Sequence, residues 1–178
     1  YTLATPSVSK VTTTTNSIKI QWGAVSGAEG YRVYRKANGE SKWSQVAKVT
    51  GTTYTDKNVK VGSVYTYTLR AYKGSTLSAY NKSGWVGVIL KTPTVKIANA
   101  ATGVKVSWSK VSGAAGYTVY SSQYDASIGK WSSWKNRGTT KATTISWVDT
   151  KTTSGTKYKY TVRAVNGLCK SSYKESSA

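Results

Sequence analysis

Residues 17–34 read SIKIQWGAVSGAEGYRVY, and residues 103–120 read GVKVSWSKVSGAAGYTVY. Trp22 falls where Trp108 falls, and Tyr31 where Tyr117 falls. A match of this length makes the chain two versions of one unit, and the repeat takes precedence over any local reading. Within the first copy, Ile18, Ile20 and Trp22 alternate with Lys19 and Gln21. Within the second, Val104, Val106 and Trp108 alternate with Lys105 and Ser107. A period of two puts the apolar residues on one face of a half-buried strand.

Working outward, the same alternation recurs. Tyr31 and Val33 share an inner face around Arg32. Asn38-Gly39 marks a tight turn, since both residue types tolerate positive φ. Residues 43–49 read as a shorter strand, and 53–56 as another, matched by 145–149. Tyr65, Tyr67, Leu69 and Ala71 then alternate with Thr66, Thr68 and Arg70, matched by the run from Tyr158 to Ala164. A last strand is expected near 84–90 and again near Ser172. About seven short strands per unit, with turns every 8–12 residues or so, describe a small β-sandwich.

The composition agrees. There is no His, Phe or Met among 178 residues, and the apolar mass comes from 7 Trp, 14 Tyr and many Val. Such side chains suit a pleated, half-buried surface. The single cysteine, Cys169, has no internal disulfide partner, so each core must be stable without a staple. No apolar run reaches transmembrane length. The formal charge is +20. Residues 1–91 and 92–178 each hold 13 Lys+Arg and 3 acids, an even spread typical of a basic, solvated surface. Only five cations are Arg, the residue suited to bidentate phosphate recognition. Charge alone therefore supports non-specific contact with polyanions, and no nucleic-acid motif is present.

Each half resembles a fibronectin type III domain. The resemblance rests on the strand-two Trp of IQW and VSW, on the GYxVY strand, and on the run from Val59 to Tyr65. It implies an all-β chain of two tandem immunoglobulin-like sandwiches, residues 1–91 and 92–178, with a very short linker at Thr92-Pro93 that limits hinge freedom. It also implies a tyrosine corner at Tyr65 and at Tyr158, the second expected to be weaker because no apolar residue matches Val59. The SGAxGYxVY wording is similar to modules of secreted, cell-surface or wall-associated proteins of Gram-positive bacteria. Those modules serve as spacers or accompany catalytic, adhesive or carbohydrate-binding partners.

The residues argue against catalysis. Without His, neither a His-based triad nor a His metal site can be built. Six acids remain: Glu29, Glu40, Asp56, Asp125, Asp149 and Glu175. Asp56 and Asp149 are repeat-equivalent, which assigns them a structural turn role. No acidic cluster offers calcium ligands. Neither a cofactor nor a metal is expected. Cys169 reads as a small residue at a strand start, the alternative being a redox or attachment thiol.

The aromatic residues divide by position. Trp22 and Trp108 are core. Trp147 aligns with Tyr54 and reads as core too. Trp43 and Trp131, each following a Lys, are taken as a matched pair. The offset between copies grows from 86 at Trp22/Trp108 to 93 at Asp56/Asp149, which locates an insertion in residues 124–137. That segment holds the candidate ligand-binding residues Tyr124, Lys130, Trp131, Trp134, Lys135 and Arg137. Aromatic faces beside cations can stack on sugar rings or bases and hold anionic groups. The bland alternative is a longer hairpin folded over the sheet edge. Outward-facing Arg32, Tyr34 and Arg70, with Tyr120 and Arg163, are expected to form cation–π pairs across neighbouring strands.

The sequence thus predicts a non-catalytic spacer or interaction module of a bacterial extracellular protein. The competing reading is a module that binds a neutral or anionic glycan or wall polymer through the insertion. Expected partners are adjacent domains of a larger parent and such a polymer. Specific nucleic-acid binding, membrane insertion and self-association are not expected.

Overall fold

The structure is a computed structural model that describes residues 2–176. The chain is all-β, with sixteen strands among the described residues. It forms two compact units, Tyr1–Ile89 with Asn166–Cys169, and Leu90–Val165 with Lys170–Ala178. Among the described residues no helix is long and apolar enough to cross a membrane.

In the first unit, β1 (Val8–Thr13), β2 (Ile18–Trp22) and β5 (Thr53–Asp56) make one antiparallel sheet in the order β1-β2-β5. The second sheet contains β3 (Gly30–Ala37), β4 (Ser44–Val49), β6 (Tyr65–Lys73), β7 (Thr76–Leu77) and β8 (Trp85–Gly87). Its order is β4-β3-β6-β7, with β8 also against β6. The second unit repeats the plan. β9 (Val95–Ala100), β10 (Gly103–Trp108) and β14 (Ser146–Asp149) form the short sheet. β11 (Gly116–Asp125), β13 (Lys135–Lys141), β15 (Tyr158–Asn166) and β16 (Cys169–Lys170) form the long one, and β12 (Lys130–Trp131) is added beyond the common plan. This is the fibronectin type III arrangement of two immunoglobulin-like sandwiches. The last strand of the second unit lies at Cys169–Lys170 rather than near Ser172, because at Ser171 the backbone N–H still donates to Ala164 O at 2.9 Å but the Ala164 N–H is taken by Ser171 Oγ at 3.0 Å instead of a strand carbonyl.

The alternation read from the sequence decides which face is inside. Ile18, Ile20, Trp22, Tyr31, Val33, Tyr67, Leu69 and Ala71 are buried, as are Val106, Trp108, Tyr117, Val119, Tyr160 and Val162. Trp22 meets Tyr31 edge-on with centroids 5.3 Å apart, and Trp108 meets Tyr117 at 5.5 Å. Each of these tyrosines also accepts a backbone N–H through its hydroxyl, from Val25 at 2.8 Å and Val111 at 2.9 Å. The ring fills the core and the hydroxyl satisfies the turn, which explains why GYxVY occurs in both copies. Trp147 and Tyr54 stand opposite Val106 and Ile20 but are only half-buried, because β14 and β5 are sheet edges.

Both tyrosine corners form. Tyr65 Oη accepts the Lys60 N–H at 3.0 Å, and Tyr158 Oη accepts the Thr153 N–H at 3.1 Å. Tyr65 is buried and Tyr158 half-buried, so the missing apolar residue opens the second corner to solvent without breaking its hydrogen bond.

Candidate functional site

The outward face of each long sheet collects the polar, cationic and aromatic side chains that the alternation expels from the core. On β3 these are Arg32, Tyr34 and Lys36, and on β6 they are Thr66, Thr68 and Arg70. Cross-strand register sets Arg32 opposite Arg70 on one side and opposite Lys48 of β4 on the other.

The register also corrects one pairing across the repeat. Tyr34 faces Gln45 and Arg35 faces Ser44, while the equivalent Tyr120 faces Asn136 and Ser121 faces Lys135. Trp43, just before Ser44, therefore corresponds to Trp134, just before Lys135. It does not correspond to Trp131, which belongs to the added hairpin. The common Lys-Trp wording is coincidental.

With that correction the same cluster is present twice. In the first unit, Tyr34, Trp43, Thr68, Arg70 and Tyr80 line a hollow of about 180 Å³. Arg70 lies over the Tyr80 ring at 5.6 Å, and Lys36 over Trp43 at 4.8 Å. In the second, Arg163 lies over Tyr173 at 5.8 Å, and Trp134 meets Tyr173 edge-on at 6.3 Å. The rings paired with these arginines come from the segment after the sheet strand, not from Tyr34 and Tyr120 on the neighbouring strand as expected. The segment is held there by matched hydrogen bonds: Arg70 Nε donates to Ser78 O at 2.7 Å, and Arg163 Nε to Ser171 O at 2.8 Å. Tyr80 and Tyr173 were not singled out in the sequence. The offset of 93, already visible at Asp56/Asp149, would have paired them.

The six residues of the insertion fall in three places. Tyr124 and Trp131 pair across the β11–β12 hairpin with ring centroids 5.2 Å apart. Lys157 lies over Tyr124 at 5.9 Å, and Lys159 over Trp131 at 4.5 Å. Lys130 is exposed and faces Asp125 across the ladder. Hydrogen bonds from the Ser127 hydroxyl and N–H hold the Asp125 carboxyl below its ordinary range. A surface hollow of about 600 Å³ adjoins this hairpin, lined by Tyr124, Asp125 and Lys157 among others. Trp134 belongs instead to the repeated cluster beside Tyr173, while exposed Lys135 stands opposite Ser121 across the β11–β13 ladder.

Arg137 is turned inward. Its Nε donates to Asp149 Oδ2 at 2.9 Å and its Nη2 to Asp149 Oδ1 at 2.8 Å. Tyr160 Oη and the Lys151 N–H add two more donors to the same carboxylate, each at 3.0 Å. Burial works to raise the Asp149 pKa, but these donors outweigh it and hold it below the ordinary value. Burial, with the carboxylate beside it, pushes the Tyr160 hydroxyl well above its ordinary range. The first unit repeats the arrangement around Asp56, with Arg35, Tyr67 and the Asn58 N–H as donors at 2.8–2.9 Å.

The other four acids are also engaged locally. Glu29 accepts the Gly74 N–H, Glu40 the Ala37 N–H, Asp125 the Ser127 donors, and Glu175 the Lys159 ammonium. Among the described residues no group of three His, Cys, Asp or Glu side chains stands close enough to hold a metal ion. Cys169 opens β16 and is buried, and burial pushes its thiol pKa up.

Bacterial depolymerases contain similar sequence. The chain is 32% identical over 189 residues to exoglucanase B of Cellulomonas fimi, covering 90% of this chain and 15% of that protein. It is 42% identical over 59 residues to a poly(3-hydroxybutyrate) depolymerase of Ralstonia pickettii, covering 33% of this chain and 11% of that one. It is 39% identical over 67 residues to chitinase C of Streptomyces lividans, covering 38% and 10%. The chain thus spans a small part of each relative. No protein-family model matches it. Among solved structures, a two-domain fibronectin type III segment of chicken tenascin superposes with a TM-score of 0.46 at 18% identity, covering 98% of this chain and 97% of that one.

Proposed function

We propose that the chain is a non-catalytic accessory segment of a larger, secreted bacterial protein that degrades a polymer. It spaces neighbouring modules and presents the outer faces of its long sheets to the polymer. The observation that carries this reading is the employment of all six carboxylates. Each is tied to a turn, a backbone N–H or a cation of its own neighbourhood. Glycoside hydrolysis needs one carboxyl free to exchange a proton and a second across the substrate. The two buried carboxylates, Asp56 and Asp149, are saturated with donors and hold their own sheets together. Similarity to short parts of enzymes named for a glucan, for chitin and for a polyester supports an accessory role that is not tied to one substrate.

The test is to incubate the purified chain with cellulose, chitin and poly(3-hydroxybutyrate), and to measure released products and the fraction of protein bound. No release is expected. Product release that follows the protein through successive purification steps would overturn the reading.

A second reading has its own observation. The Tyr124–Trp131 pair, under Lys157 and Lys159, presents two rings tilted by 57° and two cations at the added hairpin of the second unit. It would hold a sugar ring of a glycan or wall polymer, flanked by Lys130. Glycan retention unchanged by joint substitution of Tyr124→Ala and Trp131→Ala would remove it.

A further inference from the structure

The outer face of the first sandwich carries an arrangement that local stability disfavours. Lys48, Arg32 and Arg70 are direct cross-strand neighbours on β4, β3 and β6. Neighbouring strands lie about 5 Å apart, so three cationic side chains leave the same face within roughly 10 Å of one another. Like charges placed directly opposite destabilise a sheet. The ion pairs among the described residues are Arg35–Asp56, Arg137–Asp149 and Lys159–Glu175, so no carboxylate neutralises the row. Its two ends have neutral partners only: Lys48 Nζ lies over the Tyr72 ring at 4.5 Å, and Arg70 has Tyr80 and the Ser78 carbonyl. Arg32 Nε is shielded from solvent and has no acceptor. The second sandwich shows that the fold does not require the row. At the equivalent positions it has Thr139, Thr118 and Arg163, with Thr118 facing the other two. It nevertheless retains the paired rings of Trp134 and Tyr173, with Arg163 over Tyr173.

We propose that Arg32, Lys48 and Arg70 form an anion-binding site on the first sandwich, and that its occupant is an acidic polysaccharide. Next to the row, Tyr34, Trp43 and Tyr80 surround a hollow of about 180 Å³, a size suited to one sugar ring. A carboxylate, sulfate or phosphate carried by the sugar neutralises the cation row while the ring lies against the aromatic faces. Nucleic acid is the lesser fit, because its binding calls for cations tracking a backbone across several nucleotides, and this row is short and runs across the strands. The sugar assignment rests on the accessory-module reading above; the anion site rests on the row itself.

The two sandwiches supply the variant. R32T/K48T installs the residues that the second sandwich already has at those positions, and its thermal transition confirms folding. Binding of the whole chain is measured by calorimetry to polygalacturonate, to neutral hydroxyethyl cellulose and to polythymidylate at low and moderate salt. K10T/K19T, on the other sheet, removes the same charge and serves as control. Wild type is expected to prefer polygalacturonate. R32T/K48T should weaken that binding about tenfold, as loss of two contacting charges implies, with K10T/K19T near wild type. Equal weakening by the control pair would overturn the site in favour of diffuse charge. Tighter binding of polythymidylate through the same residues would overturn the sugar assignment. Neutral glucan bound as well as polygalacturonate, with R32T/K48T silent, would overturn the anion site and leave the accessory-module reading intact.

Discussion

Arg137 and Asp149 meet through two hydrogen bonds, yet the equivalent carboxylate, Asp56, is met by an arginine from a different strand. Arg35 comes from β3, at the position equivalent to Ser121. Arg137 comes from β13, at a bulge where Val119 faces Gly138 and Tyr120 faces Asn136. The first sandwich has its bulge at the same place, and there the extra residue is Val46. A bulge re-aims its extra residue. In the second unit it delivers a guanidinium to a carboxylate that would otherwise be buried with only a hydroxyl and an N–H.

Removing that guanidinium is therefore costly. Arg137→Val should destabilise the second unit by about 3 kcal/mol, the scale of breaking a shielded ion pair from one side. Adding Ser121→Arg, which copies the first sandwich, should recover much of the loss. Urea unfolding of the single and double variants measures both. A double variant no more stable than R137V would show that the two positions are not interchangeable.

Asp149 also predicts acid sensitivity. Its folded pKa lies below the ordinary 3.8, so the unfolded chain takes up protons first as pH falls. The stabilisation is complete above the unfolded value and is lost as pH drops from about 4 through the lower folded value. Asp149→Asn should flatten stability in that window while lowering it at neutral pH. Thermal scans between pH 2 and about 6 would follow this.

The tyrosine corners should differ in weight. Tyr65→Phe and Tyr158→Phe each remove the acceptor of one backbone N–H, worth about 1 kcal/mol on average. Tyr65 is buried and Tyr158 half-buried, so water can replace the second hydroxyl more readily. Y65F is expected to cost more than Y158F in denaturant unfolding. The reverse order would assign the second corner a larger role than its exposure suggests.

Gly30 and Gly116 open equivalent strands and have no room for a methyl group. A Cβ at Gly30 would lie 2.5 Å from Val49 O and 2.7 Å from Tyr72 Oη. One at Gly116 would lie 2.4 Å from Thr140 O. Gly30→Ala and Gly116→Ala should each cost about 1–3 kcal/mol by forcing the neighbouring edge strand away. Amide exchange in β4 and β13 would report the displacement, and unchanged protection there would contradict it.

Much of the fold was legible because a strand's inner face is a local property. Ile18, Ile20 and Trp22 need only their own alternation to be assigned inward, and the second copy agrees at Val106 and Trp108, with Val104 half-buried. The candidate site was less legible. Arg32 and Arg70 could be placed on an outward face, but Lys48 joins them only through the β3–β4 register. The insertion made two pairings of Trp43 possible, and the Lys-Trp wording favoured the wrong one. Arg137 read as a surface cation because a bulge leaves no mark in the hydrophobic pattern.

By itself, the sequence determined that this chain is two like sandwiches, with Trp22 and Trp108 in their cores, since period-two burial and a copied motif require no knowledge of distant neighbours. Only the tertiary structure decided which strand brings an arginine to each buried aspartate, and which side chains share the outer face. Both depend on hydrogen-bond register between strands far apart in the chain, where a single bulged residue changes which side chains meet.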